Sequence, residues 1–131
     1  MPKQQGSIAL PLDKAEIIKD YRLAYQSRQA SIIGRREVLS GKAKFGIFGD
    51  GKELANLAIA RAFQKGDWRS GYYRDQTWMF MLNVMRIQEF FAQLYAHADL
   101  EHEPSTGGRS MNSHFGSRYI NSDGSWRNQM D

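Results

Sequence analysis

One stretch constrains this chain more than any other. Between Trp78 and Tyr95 it carries Trp78, Met79, Met81, Leu82, Val84, Met85, Ile87, Phe90, Phe91, Leu94 and Tyr95. A helix drawn through them, from about Asp75 to Ala96, has apolar side chains around nearly its whole circumference. Such a helix has to be buried on most sides. A chain of 131 residues offers few other elements to cover it, so the pattern predicts that a partner covers what they leave.

Two further helical patterns precede it. Asp13 is placed as an N-cap with Glu16 three residues on, the spacing of a capping box. Ile17, Tyr21, Ala24, Tyr25, Arg28 and Ile32 then recur at three- and four-residue steps, which puts them on one stripe. The pattern ends at Ser40-Gly41, with Arg35-Arg36 near the negative pole of the helix dipole. Lys42 to Phe48 reads as an extended connection. Gly49-Asp50-Gly51 breaks the chain, and the alanine-rich run around Leu54, Leu57, Ala58 and Ala62 favours a second helix. Asp50, followed by Glu53, is expected to cap it. Gly66-Asp67-Trp68 is a turn. After Ala98 the texture changes to glycine and serine with Pro104 and no periodicity. The domain reading is therefore a flexible leader over 1–12, a helical core over 13–98 and an irregular tail over 99–131, which must lie on something to be ordered.

Composition excludes several classes. With no cysteine, disulfides, thiolate metal sites and cysteine nucleophiles are absent, and a reducing, cytoplasmic setting is expected. The leader has no apolar signal core, and no apolar run approaches membrane-spanning length. The net charge of +4 comes from scattered rather than clustered basic residues, which argues against nucleic acid as the partner. His97 and His102 lack the four-residue spacing of a helical zinc pair and read as solvated.

Two segments carry chemistry. Tyr72-Tyr73-Arg74-Asp75 places phenols, a guanidinium and a carboxylate just before a helix. An arginine fork matches phosphate oxygens bidentately, and a helix start adds partial positive charge. The same residues also suit a solvated loop with an Arg–Asp pair. Gly107-Gly108-Arg109-Ser110-Met111-Asn112-Ser113-His114 is a glycine-led loop with a cation and an imidazole, able to approach a ligand closely or to serve as plain surface. No P-loop, GxGxxG or Ser-His-Asp order is present, and no catalytic residue or metal ligand is assigned.

In their order, these pieces resemble the N-terminal part of the alpha region of the thiamine-dependent decarboxylating component of 2-oxo acid dehydrogenase complexes. The likeness runs over about residues 14–127 and is greatest to the branched-chain (2-oxoisovalerate) type in its bacterial fused alpha/beta form. It rests on Tyr21 to Arg36, Gly41 to Gly49, Gly66-Asp67-Trp68, Tyr72 to Asp75, and Gly107 to Met111 with His114.

The resemblance implies a mostly α structure: a helical N-terminal fragment of a thiamine-diphosphate-binding α/β fold, three main helices plus a long irregular tail. It implies that Tyr73 and Arg74 contact the cofactor's diphosphate, with Arg109 and His114 nearby. Thiamine diphosphate and magnesium would be cofactors of the whole enzyme. The metal motif would belong to sequence beyond Asp131, since Gly49-Asp50-Gly51 with Asn83 matches it only in spacing. Partners would be the rest of the alpha region, the beta region and a lipoyl-bearing acyltransferase. Taken alone, the piece is expected to be inactive and to self-associate. Tyr72 stands where branched-chain enzymes often carry glutamine. The competing reading is a stand-alone helical interaction module, with nonspecific nucleic-acid binding a third option.

Overall fold

The computed structural model describes residues 13–64 and 67–115, and the backbone of two short strands beyond them. Four helices form the body: α1 (Lys14–Leu39), α2 (Glu53–Ala62), α3 (Gln76–Met81) and α4 (Ile87–Leu94). Strands β1 (Ser117–Ile120) and β2 (Trp126–Gln129) pair antiparallel, Ser117 opposite Gln129 and Ile120 opposite Trp126. The architecture is mostly α, as expected, and the hairpin adds order to a stretch read as irregular. The leader 1–12, Gly66 and the remaining residues after Phe115 lie outside the described residues.

Asp13 caps α1 as the sequence predicts, its carboxylate accepting from Glu16 N at 2.7 Å. The face that α1 turns inward is the surprise. Ser27, Ala30, Ser31, Gly34 and Glu37 are buried, whereas Ile17, Tyr21, Tyr25 and Ile32 are 48, 70, 56 and 49 % exposed. Periodicity locates a stripe without saying which side is buried. Small residues win the inner face because α1 packs closely on its neighbours. A Cβ at Gly34 would overlap the Phe48 ring, so only glycine admits that aromatic against the helix.

The contact between α1 and α3 is polar and buried. Gln76, fully buried, donates through Nε2 to Ser27 O at 2.9 Å and Ser31 Oγ at 3.2 Å. Its Oε1 accepts from Gly49 N at 3.2 Å. Thr77 and Ser27 share a hydroxyl hydrogen bond of 2.7 Å. Every arm is matched, which buried polar groups require. α3 is also tied to α2, because Asn56 Oδ1 accepts from Trp78 N at 3.2 Å.

The predicted third helix is two helices. α3 stops at Met81, and Asn83 takes a left-handed φ of 55°. Asn83 N donates to Phe80 O and Val84 N to Met79 O, the paired bonds of a Schellman stop. Asparagine tolerates that conformation better than other non-glycine residues. Breaking the helix re-aims its two halves, so that Met79, Met85, Phe90 and Leu94 are each at most 4 % exposed. Met81, Leu82, Val84, Ile87 and Phe91 stay half-buried and Tyr95 is 46 % exposed, so the described elements cover this stretch in part; α1 adds exposed apolar side chains of its own. α4 ends the same way, with Ala96 at φ 53°, Ala96 N on Gln93 O and His97 N on Ala92 O. No helix among the described residues is long and apolar enough to cross a membrane.

Candidate functional site

Local hydrogen bonding sets the segment before α3. Asp75 is the N-cap residue of α3, but its carboxylate makes no capping bond to the helix. Its Oδ2 accepts from Tyr72 N at 2.9 Å and from Arg69 Nη2 at 2.9 Å. Arg69 lies buried between Trp78 and Phe115, its guanidinium 5.5 and 5.7 Å from their ring centres. Burial lowers its pKa, with Asp75 opposing. The sequence left open an Arg74–Asp75 pair. In the structure Asp75 serves Arg69, and among the described residues no carboxylate pairs with Arg74.

Arg74 is exposed and borders a groove of about 360 Å³ between the end of α1 and the 46–50 segment. Arg35 and Asp50 line the same groove, with Val38 and Phe48 on its apolar side. Asp50 does not cap α2, whose N-cap is Lys52. Its carboxylate instead takes both bonds from Arg35 Nη2, at 2.7 and 2.9 Å. Behind them, Glu53 holds Arg28 and accepts from Gly51 N at 3.0 Å. The Arg28 hydrogen bond lowers the Glu53 pKa against the effect of burial.

Tyr73 meets the glycine-led loop. Its ring lies 5.3 Å from that of His114, edge to face, and 5.3 Å from Tyr72. His114 Nδ1 is 3.0 Å from Met111 O. A carbonyl only accepts, so Nδ1 is the donor in this contact and Nε2 is the ring nitrogen left for another partner. Gln93 Nε2 fixes the same residue by donating to His114 O at 2.9 Å.

Sequence reasoning missed what builds this loop. Glu103 is fully buried and accepts from Ser105 N, Thr106 N, Thr106 Oγ1 and Gly108 N at 2.9 to 3.1 Å. Burial would raise its pKa, but the Gly108, Thr106 and Ser105 hydrogen bonds outweigh it and the net shift is downward. Gly108, at φ 77°, lets the chain pass the Ala96 carbonyl, which a Cβ would strike. Asn112 then docks the loop on Ile47, accepting from Ile47 N at 3.1 Å and donating to Ile47 O at 3.0 Å. An acidic residue two positions before serine and three before threonine is the one sequence signal for this turn.

The structure thus brings Tyr73 and His114 together and places Arg74 in the groove with Arg35. Arg109 is exposed on the loop, its N–H on Thr106 Oγ1 at 3.1 Å; no described contact joins its side chain to the other three. Among the described residues no trio of His, Asp or Glu is placed to hold a metal ion. His97 and His102 are exposed, their ring centres 4.8 Å apart and His102 Nδ1 3.1 Å from Asp99.

Compared with known families, residues 21–126 match the dehydrogenase E1 component. The chain belongs to that family. E1 components of 2-oxo acid dehydrogenases depend on thiamine diphosphate and work with other subunits in multienzyme complexes. No solved structure matches the chain. Tyr73, Arg74, Arg109 and His114 all fall inside the matched span.

Proposed function

We propose that this E1-family chain supplies the diphosphate-facing part of a decarboxylating component acting on a branched-chain 2-oxo acid, with acyl transfer to a lipoyl group. Arg74 and Tyr73 are read as the contacts to the diphosphate, with His114 and Arg109 beside them. One observation carries this reading: Arg69 occupies Asp75, and the Arg74 guanidinium is left beside a groove without a carboxylate of its own. A planar guanidinium in that position suits a pyrophosphate, which offers bidentate oxygen pairs.

Thiamine diphosphate, when bound, supplies the carbanion chemistry that side chains lack. This chain's residues bind and orient it. Arg74 would neutralise phosphate charge, and Tyr73, braced by His114, would present its phenol as a hydrogen-bond donor. The His114 ring is oriented by the bond between its Nδ1 and Met111 O. Magnesium finds no ligand set among the described residues, and the diphosphate reading does not use one. Catalysis is assigned to the complex with a beta region and an acyltransferase, not to this chain alone.

The test is phosphorus NMR of thiamine diphosphate titrated with the full chain. The expected result is saturable line broadening that Arg74→Ala weakens roughly tenfold or more, the scale of one charge-assisted bond. Equal broadening by wild type and R74A, or none with either, would refute the reading.

A second reading is favoured by the exposed row Ile17, Tyr21, Tyr25 and Ile32 on α1. That row would make the chain a helical docking module, which a monomer showing no concentration dependence in sedimentation would contradict.

A further inference from the structure

The Asp50 carboxylate of the Gly49-Asp50-Gly51 break does not cap α2; it is held in the groove that Arg74 borders. We propose that Arg35 is a second guanidinium of this anion site and that Asp50 is its built-in counterion, displaced when a polyvalent oxyanion of the diphosphate type enters. The proposal rests on the Arg74 reading and extends it to two residues outside the motif that suggested it.

Three features support the exchange. The Arg35–Asp50 pair is at the rim, with side chains 52 and 25 % exposed. Pairs so open to water contribute little and break easily. Second, the backbone carrying Asp50 is anchored independently of that pair. Lys52 N donates to Gly49 O at 3.2 Å, and Gly51 N donates to the Glu53 carboxylate. The Asp50 side chain can therefore swing away without unfolding the turn. Third, the charges discriminate by valence. Arg35 and Arg74 against Asp50 leave one net positive charge, which Arg74 alone can offer to a monoanion. A pyrophosphate brings enough negative charge to compete with Asp50 for Arg35 and so gains both guanidinium groups.

The neighbouring Arg28–Glu53 pair is different. The Glu53 side chain is only 9 % exposed and also carries Gly51 N, so it holds the turn below Asp50 in place.

Calorimetric titration of the full chain with inorganic pyrophosphate, and separately with acetate, tests this at low ionic strength. Arg35→Gln is expected to weaken pyrophosphate roughly three- to tenfold, and Asp50→Asn to strengthen it by a similar factor, as one unit charge at rim distance implies. Acetate, with a single charge, should shift in the same directions but by a much smaller factor. E101Q, which removes a negative charge outside the groove, should leave pyrophosphate affinity unchanged; equal strengthening by E101Q and D50N would overturn the proposal as a net-charge effect. If R74A weakens pyrophosphate while R35Q and D50N do not change it, Arg35 is rejected and the Arg74 reading stands. If R35Q and D50N act as expected while R74A is silent, the Arg74 reading fails and with it the two-guanidinium site, leaving only the displacement of Asp50 from Arg35. No pyrophosphate binding by the wild type overturns both.

Discussion

Replacing Glu103 by glutamine probes the loop that brings His114 to Tyr73. The carboxylate is at 0 % exposure and receives four hydrogen bonds. Glutamine keeps the shape but has one oxygen. If that oxygen takes the three bonds now made by Oε2, the amide NH₂ must face Ser105 N–H, donor against donor. Stranding one buried donor costs about 1–3 kcal/mol, and losing the charge on the other bonds adds to it. Glutamine is also easier to bury than a carboxylate, so the expected net loss is about 2 kcal/mol.

The pH dependence has a definite sign. The folded pKa of Glu103 lies below its ordinary value. Its stabilisation is therefore complete above the unfolded-state pKa and is lost as pH falls through the folded one. E103Q should abolish that acid-side dependence. Urea unfolding at neutral and acidic pH measures both effects. Amide exchange at Ser105, Thr106 and Gly108 distinguishes local opening from global unfolding. Wild-type stability, with wild-type protection at these three amides, would refute the reasoning.

Ala96 occupies a left-handed position at the end of α4. Relief of about 1–2 kcal/mol of strain exceeds the backbone entropy that glycine brings, so Ala96→Gly should stabilise by about 0.5–1 kcal/mol, read as a higher thermal midpoint. Gln76→Ala should destabilise by about 2–4 kcal/mol in urea, because it opens a cavity in the α1–α3 contact and strands Gly49 N. Arg69→Met removes the partner that occupies Asp75. Asp75 is then expected to turn to Arg74 and weaken thiamine diphosphate severalfold in the phosphorus NMR titration.

What the sequence made legible was local. The Asp13 cap depends on residues three apart, and that spacing is visible in one dimension. The Tyr72–Asp75 and Gly107–His114 segments stood out by their chemistry, and the fold brings Tyr73 onto His114. The burial of α1 was not legible, because Ser27, Ser31 and Gly34 carry no hydrophobic signal; their reason for facing inward is Gln76, Thr77 and Phe48, far along the chain. Asn83 was a readable stop signal inside the apolar run, and the weight of the surrounding methionines and aromatics masked it. The charge pairing was the least accessible. Asp75 sits at the N-cap of α3 and Asp50 two residues before that of α2, and each carboxylate is taken by an arginine, Arg69 or Arg35, whose position only the tertiary fold determines.

The central claim is that the Arg74 guanidinium is left for a diphosphate. Its most direct measurement is the Arg74 Nε–Hε resonance of the full chain, followed while thiamine diphosphate and then thiamine are titrated. The account predicts a saturable shift of that resonance with the diphosphate and no shift with thiamine. The same shift from both ligands, or a stationary Arg74 signal throughout, would contradict it.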